Sequence, residues 1–217
     1  MLSLDGYELR LVEDNVAAGE AFTFPSDGVN RVLYVAHGAV AIDGRELGED
    51  QAWLGCGSAK VVAGSSGAAL WRWELAPAES TVFQEGRAGS GLKLRRQLDG
   101  PIADGILVRC DSVAFPPNGC AYLHTHQGPG IRCLIEGGIR IDTAGESRSY
   151  APGGAWFEPG PEPVFAQAVD RATRFIRVMV LPARLKGQSS ISYVNAADRE
   201  KPKSQRYKIY LDAPISA

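Results

Sequence analysis

The chain has 217 residues and a formal net charge of -2, too little of either sign to make an electrostatic case for nucleic acid or an anionic membrane surface. Hydrophobic residues are 45% and charged residues 22%, as in ordinary globular proteins, and no run approaches the roughly 20 apolar residues of a membrane span. The 25 glycines and 13 prolines point instead to many turns between short strands, and so to an all-β chain. The opening residues MLSLDGYELRLVEDN carry no basic stretch followed by an apolar core, so a cytoplasmic location is expected. There Cys56, Cys110, Cys120 and Cys133, which show no close-paired metal spacing, serve as reduced, mostly buried small residues.

In the first half, strand-like runs at 7–12, 21–24, 31–36, 39–42, 51–54, 60–63 and 69–75 alternate with turn residues, and helical periodicity is absent. His37 reads as a turn or core histidine. Residues 77–100 are polar, contain Gly-Ser-Gly and read as a connection, with a strand-like run at 92–98. The second half repeats the first. At an offset of 100, Gly19 falls on Gly119, Gly28 on Gly128 and the run LYVAHG at 33–38 on CLIEGG at 133–138. QAWLGCG at 51–57 then falls on GAWFEPG at 154–160, and WRWELAP at 71–77 on IRVMVLP at 176–182, so the offset drifts from 100 to 105 through loop length. Two copies of one supersecondary plan predict two similar units, with residues 1–76 superposable on 110–182. The tail holds two further strand-like runs, at 191–194 and 207–211, which need a surface to pack on.

The repeat is least symmetrical at GCAYLHTHQGPGIRCLIEGG, residues 119–138. Residues two apart on a strand point to one face, so His124 and His126 aim both imidazoles at one point, which is how a strand begins a metal site. The first copy has Phe24 and Ser26 there. This stretch resembles the first sequence motif of the cupin superfamily, and YAPGGAWFEPGPEPVF at 150–165 resembles the second. The resemblance covers about residues 110–182 and implies a bicupin: tandem double-stranded β-helix (jelly-roll) barrels, all-β, the first degenerate. It divides the chain into an N-terminal barrel (1–85), a connection (86–109), a C-terminal barrel with the site (110–183) and a C-terminal arm (184–217). A homodimer is expected, because such arms cover barrel edges or cross to a second subunit.

The resemblance also implies a divalent metal ion (iron, manganese, nickel or zinc), yet the chain departs from the family pattern at two ligands. Gly130 stands where a glutamate is usual, and Pro163 where a third histidine is usual. Glu162, fixed between Pro161 and Pro163, is the expected replacement beside His124 and His126, giving a two-histidine, one-carboxylate set; Glu158 and Gln127 come next. Arg132 faces inward if strand alternation runs from position 130 and outward if a bulge shifts the register. Facing inward, its guanidinium would bind a substrate carboxylate. Tyr122, two residues before His124, shares its face. Substrate contacts are therefore expected from Arg132, Tyr122, Gln127 and Glu158, while Trp156 fills the barrel. Two function classes follow. One is a metal-dependent small-molecule enzyme, whether dioxygenase, isomerase, lyase or decarboxylase. The other is a non-catalytic small-ligand binding or sensing protein whose metal site has decayed.

Overall fold

The computed structural model describes residues 2–84 and 88–215; the head of the expected connection and the last two residues of the arm lie outside this range. Strands dominate, and the chain divides into two compact units, one from Ser3 to Gly100 and one from Pro101 onwards. Among the described residues no helix is long and apolar enough to cross a membrane. The four cysteines are free thiols: Cys110 and Cys133 are buried, Cys120 is half-buried and Cys56 is exposed.

After a short β1 (Leu2–Ser3), the first unit contains β2 (Tyr7–Val16), β3 (Ala21–Phe24), β4 (Asn30–Ile42), β5 (Arg45–Gly48), β6 (Ala52–Gly55), β7 (Ala59–Pro77) and β8 (Ser90–Gln97). Their order is β5-β4-β7-β2-β8, with β3 on β7 and β6 on β4. Where the sequence suggests breaks, near 37–38 and 64–68, the chain stays extended, so β4 runs for 13 residues and β7 for 19. The ladder between them shifts register at Val35/His37 and Gly38/Val40, which bends both strands without ending them. Bending folds the sheet over itself: Leu33 and Val35 from one half of β4 share a core with Val40 and Ile42 from the other, and with Phe22, Phe24 and Leu47. His37 lies at this bend with an exposed side chain.

The second unit follows the same plan with the bends opened into breaks. It contains β9 (Pro101–Ile102), β10 (Ile106–Phe115), β11 (Cys120–His126), β12 (Gly130–Glu136), β13 (Ile139–Thr143), β14 (Glu146–Tyr150), β15 (Ala155–Glu158), β16 (Val164–Ala168), β17 (Thr173–Pro182), β18 (Ile191–Tyr193) and β19 (Arg206–Ile215). Two five-stranded sheets result, ordered β15-β12-β17-β10-β19 and β14-β13-β16-β11-β18. Strand β4 of the first unit thus corresponds to β12 plus β13, and β7 to β16 plus β17. At the first break Gly137 has φ +83, and a Cβ there would sit 2.3 Å from Thr173 Oγ1, so only glycine turns this corner. Val113, Phe115, Leu134, Ile139, Trp156 and Phe175, from both sheets, share one core, as in a jelly roll.

The tail is part of this unit's sheets. β19 extends one sheet along β10, and β18, which has no counterpart in the first unit, extends the other along β11. Its register sets Tyr193 opposite His124 and Ile191 opposite His126.

Candidate functional site

Strand β11 carries both histidines inward, and both are buried. Nδ1 of His124 lies 2.7 Å from the carbonyl oxygen of Tyr122. A carbonyl only accepts, so Nδ1 of His124 bears the proton and its Nε2 presents a lone pair. Nε2 of His126 is 3.2 Å from that nitrogen and 3.1 Å from Oε2 of Glu158. Burial lowers the affinity of His126 for a second proton to a pKa of about 3, against the opposing pull of Glu158, and lowers that of His124 too. Both rings are neutral at physiological pH.

Across the barrel, β12 and β15 supply a buried ion pair. Arg132 is fully buried, points inward, donates from Nη1 to the carbonyl of Gly130 at 2.6 Å and places Nη2 2.7 Å from Oε2 of Glu158. The other carboxylate oxygen, Oε1, accepts from the indole N–H of Trp156 at 2.8 Å. Burial alone would raise the Glu158 pKa, but the charge of Arg132 and the contacts with His126 and Trp156 outweigh it and hold the carboxyl well below its usual range. Burial brings Arg132 down to about 10, which leaves it charged at neutral pH. Beside it across the ladder stands Arg177, locked to Asp111 by contacts of 2.6 and 3.0 Å.

The sequence-derived site residues therefore separate into two groups. His124, His126, Arg132 and Glu158 converge; Glu162, Gln127 and Tyr122 do not. Glu162 is exposed beside Arg140 and Asp142 in a surface groove, so the expectation that its flanking prolines aim it into the barrel is corrected. The acid at the histidines is Glu158, which ladder register places opposite Gly130, the position where the usual glutamate is missing. Gln127 is exposed, with its backbone N–H donating to Ser190. Tyr122 leaves the shared face because the β11–β16 ladder slips between Ala121 and His124, a bulge that breaks the two-residue alternation. Its ring lies under Lys201 and Lys203 instead.

Around this cluster is an enclosed space of only ≈ 20 Å³, room for a water-sized group, walled by Phe115, Ala121, Val164, Phe175, Ile191 and Tyr207 among others. A larger cavity of ≈ 290 Å³ shares Arg177, Ile191 and Tyr207 with it and is built largely by residues 187–193 and 203–209. Arg109 ties this lip down, donating to the carbonyls of Leu185 and Gln188 and pairing with Asp212. Arg109, Asp111, Arg177, Tyr193, Gln205 and Tyr207 were not anticipated as site residues. A signal existed for three of them, since Arg109, Asp111 and Arg177 are charges embedded in otherwise apolar strands.

Four buried side-chain polar atoms among the described residues lack an aligned hydrogen-bond partner: Nδ1 of His126, Nη2 of Arg132, Oε2 of Glu158 and Oε1 of Gln205. The first three belong to the cluster, where Nη2 of Arg132 and Oε2 of Glu158 face each other as an ion pair, and Gln205 lines the larger cavity. Its residues do not fit a divalent metal ion, however. Among the described residues no three histidine, cysteine or acidic side chains form a metal-holding group, and the carboxylate oxygen that faces His126 is already in contact with a guanidinium.

No family model and no curated protein matches the sequence. Solved structures do match the fold. Oxalate decarboxylase from Bacillus subtilis aligns with a TM-score of 0.62 at 13% identity, over 91% of this chain and 73% of that one. AerE from Microcystis aeruginosa aligns with a TM-score of 0.59, also at 13% identity, over 82% of this chain and 88% of that one. At such identities the likeness is one of fold, and the fold is of the cupin jelly-roll type.

Proposed function

We propose that the second unit binds a small organic molecule in the cavity lined by Arg177, Ile191, Tyr193, Gln205 and Tyr207, with one polar end directed at His126, Arg132 and Glu158. The observation that carries this reading is the ≈ 290 Å³ cavity together with two buried polar atoms that no neighbour satisfies, Nδ1 of His126 and Oε1 of Gln205. Leaving such a group unsatisfied costs about 1–3 kcal/mol, and a bound donor would remove that cost. The ligand class follows from the complement. Both open atoms accept, since Nε2 of His126 faces two acceptors and carries that ring's proton; a ligand group that donates, a hydroxyl or a primary amide, complements them, and a mostly apolar body suits Ile191, Ile209 and the two tyrosines.

Of the two function classes, the non-catalytic binding or sensing protein is thus favoured over the metal-dependent enzyme, because Arg132 occupies the carboxylate that a metal would need. The first unit is proposed as a filled, non-binding copy. The homodimer loses its sequence argument, since both apolar runs of the tail pair within their own unit.

A panel of phenols and benzamides, assayed by thermal shift and then by calorimetry, tests the reading. At least one member should bind the wild type and lose most of its affinity in Tyr207→Ala. If none binds, or if binding is unchanged in Tyr207→Ala, the cavity is not the site.

A further inference from the structure

Resting on the site just described, we propose that Arg132 is the resident cation of this barrel and that its guanidinium excludes a divalent metal from His124, His126 and Glu158. Three contacts make the arrangement a coupled replacement. A Cβ at position 130 would lie 2.6 Å from the carbonyl oxygen of Val178 and 3.0 Å from Nη1 of Arg132, so a side chain at 130 and the observed guanidinium compete for one space. The carboxylate then arrives from the neighbouring strand, because Glu158 is the ladder partner of Gly130. Its Oε2 faces His126 at 3.1 Å and Arg132 at 2.7 Å. Glycine at 130, arginine at 132 and glutamate at 158 are one solution, in which the positive charge is covalently supplied.

Charge balance points the same way. Arg132 and Arg177 are matched by Glu158 and Asp111, all four buried, so with neutral histidines the floor of the barrel has no net charge. A divalent ion added to it would leave two positive charges uncompensated in a low-dielectric setting, beside a guanidinium that cannot leave. The histidines keep a separate role: Nε2 of His126 spans the gap between His124 and Glu158 and so orients the carboxylate.

The test is a gain of metal binding. Wild type, Arg132→Met and the Arg132→Met/His126→Ala double variant are stripped with chelator and titrated with Co²⁺ and Zn²⁺, read by cobalt absorption and by calorimetry. Wild type should show no uptake that depends on His126. Arg132→Met should take up one ion per chain, roughly 100-fold or more tighter than wild type, as expected when one like charge is removed from a buried divalent site. The double variant should lose that uptake. Stoichiometric, His126-dependent binding by wild type overturns the proposal, as does a folded Arg132→Met that binds no better than wild type. If Arg132→Met does not fold, the wild-type titration compared with His126→Ala decides alone: equal, negligible uptake supports the proposal, and His126-dependent uptake overturns it. Failure here leaves the organic-ligand reading standing, because that is judged by the phenol and benzamide panel, and failure of the panel leaves the metal titration unaffected.

Discussion

Apart from β18, the first and second units place corresponding strands in the same order, and they fill their interiors in opposite ways. In the first, Phe24 occupies the position of His124, and the guanidinium carbons of Arg31 and Arg72 lie 4.9 and 5.7 Å from the centre of its ring. Arg72 pairs with Asp14 at 2.7 Å as Arg177 pairs with Asp111, and Glu74 contacts Arg10, Arg31 and Arg72 together. This charge network is buried but closed, and among the described residues none of its atoms is left without a partner. In the second unit an aromatic plug is exchanged for two imidazoles, one of which leaves its Nδ1 without a partner, and cavities adjoin the paired charges. One architecture thus accommodates either a packed core or an interior with buried polar groups and cavities, and the choice lies in a few inward side chains.

The comparison breaks most sharply at the centre of the closed network. Glu74→Ala removes the shared acceptor of three buried guanidiniums and should destabilise the first unit by about 3–5 kcal/mol in urea unfolding. Phe24→Ala, at a fully buried ring, should cost about 3–5 kcal/mol as well, and Trp53→Ala, only half-buried, clearly less. Near-neutral results at Glu74 or Phe24 would mean that the first interior is not the filled counterpart of the second.

Acidification distinguishes the units next. The folded state holds His126 near a pKa of about 3, while an unfolded histidine titrates near ~6.5, so between these values the unfolded chain binds more protons. Stability from this group is therefore full above ~6.5 and is lost as pH falls toward about 3, at up to ~1.4 kcal/mol per pH unit. His124 is shifted in the same direction, and Glu158, whose affinity for a proton is also lowered by folding, adds a loss of the same sign at lower pH. Denaturant titrations at pH 7, 6 and 5 should show the decline, with a shallower slope in His126→Leu; parallel slopes would remove His126 from the account.

The smallest effect is expected at Glu162. Exposed and lining a different groove from the histidines, it should tolerate Glu162→Gln with a stability change within about 0.5 kcal/mol and unchanged ligand affinity. A large loss of ligand binding would restore it to the site.

Local patterning was enough to make the strands, the repeat and the inward histidine pair legible, because strand alternation and turn residues are properties of neighbours in sequence. The repeat alone sets Phe24 and Ser26 at the positions that correspond to His124 and His126. Which acid meets the histidines depended on pairing between distant strands: the ladder that sets Glu158 against Gly130 is invisible in a run where Glu158 and Glu162 are only four residues apart. The two alternatives for Arg132 were likewise separated by register, inward because no slip intervenes between Gly130 and Arg132, whereas one between Ala121 and His124 turns Tyr122 away. The tail's strand content was readable; that it borders the His124 strand and walls the cavity was decided by tertiary packing, since an apolar run specifies a need for burial without naming its partner.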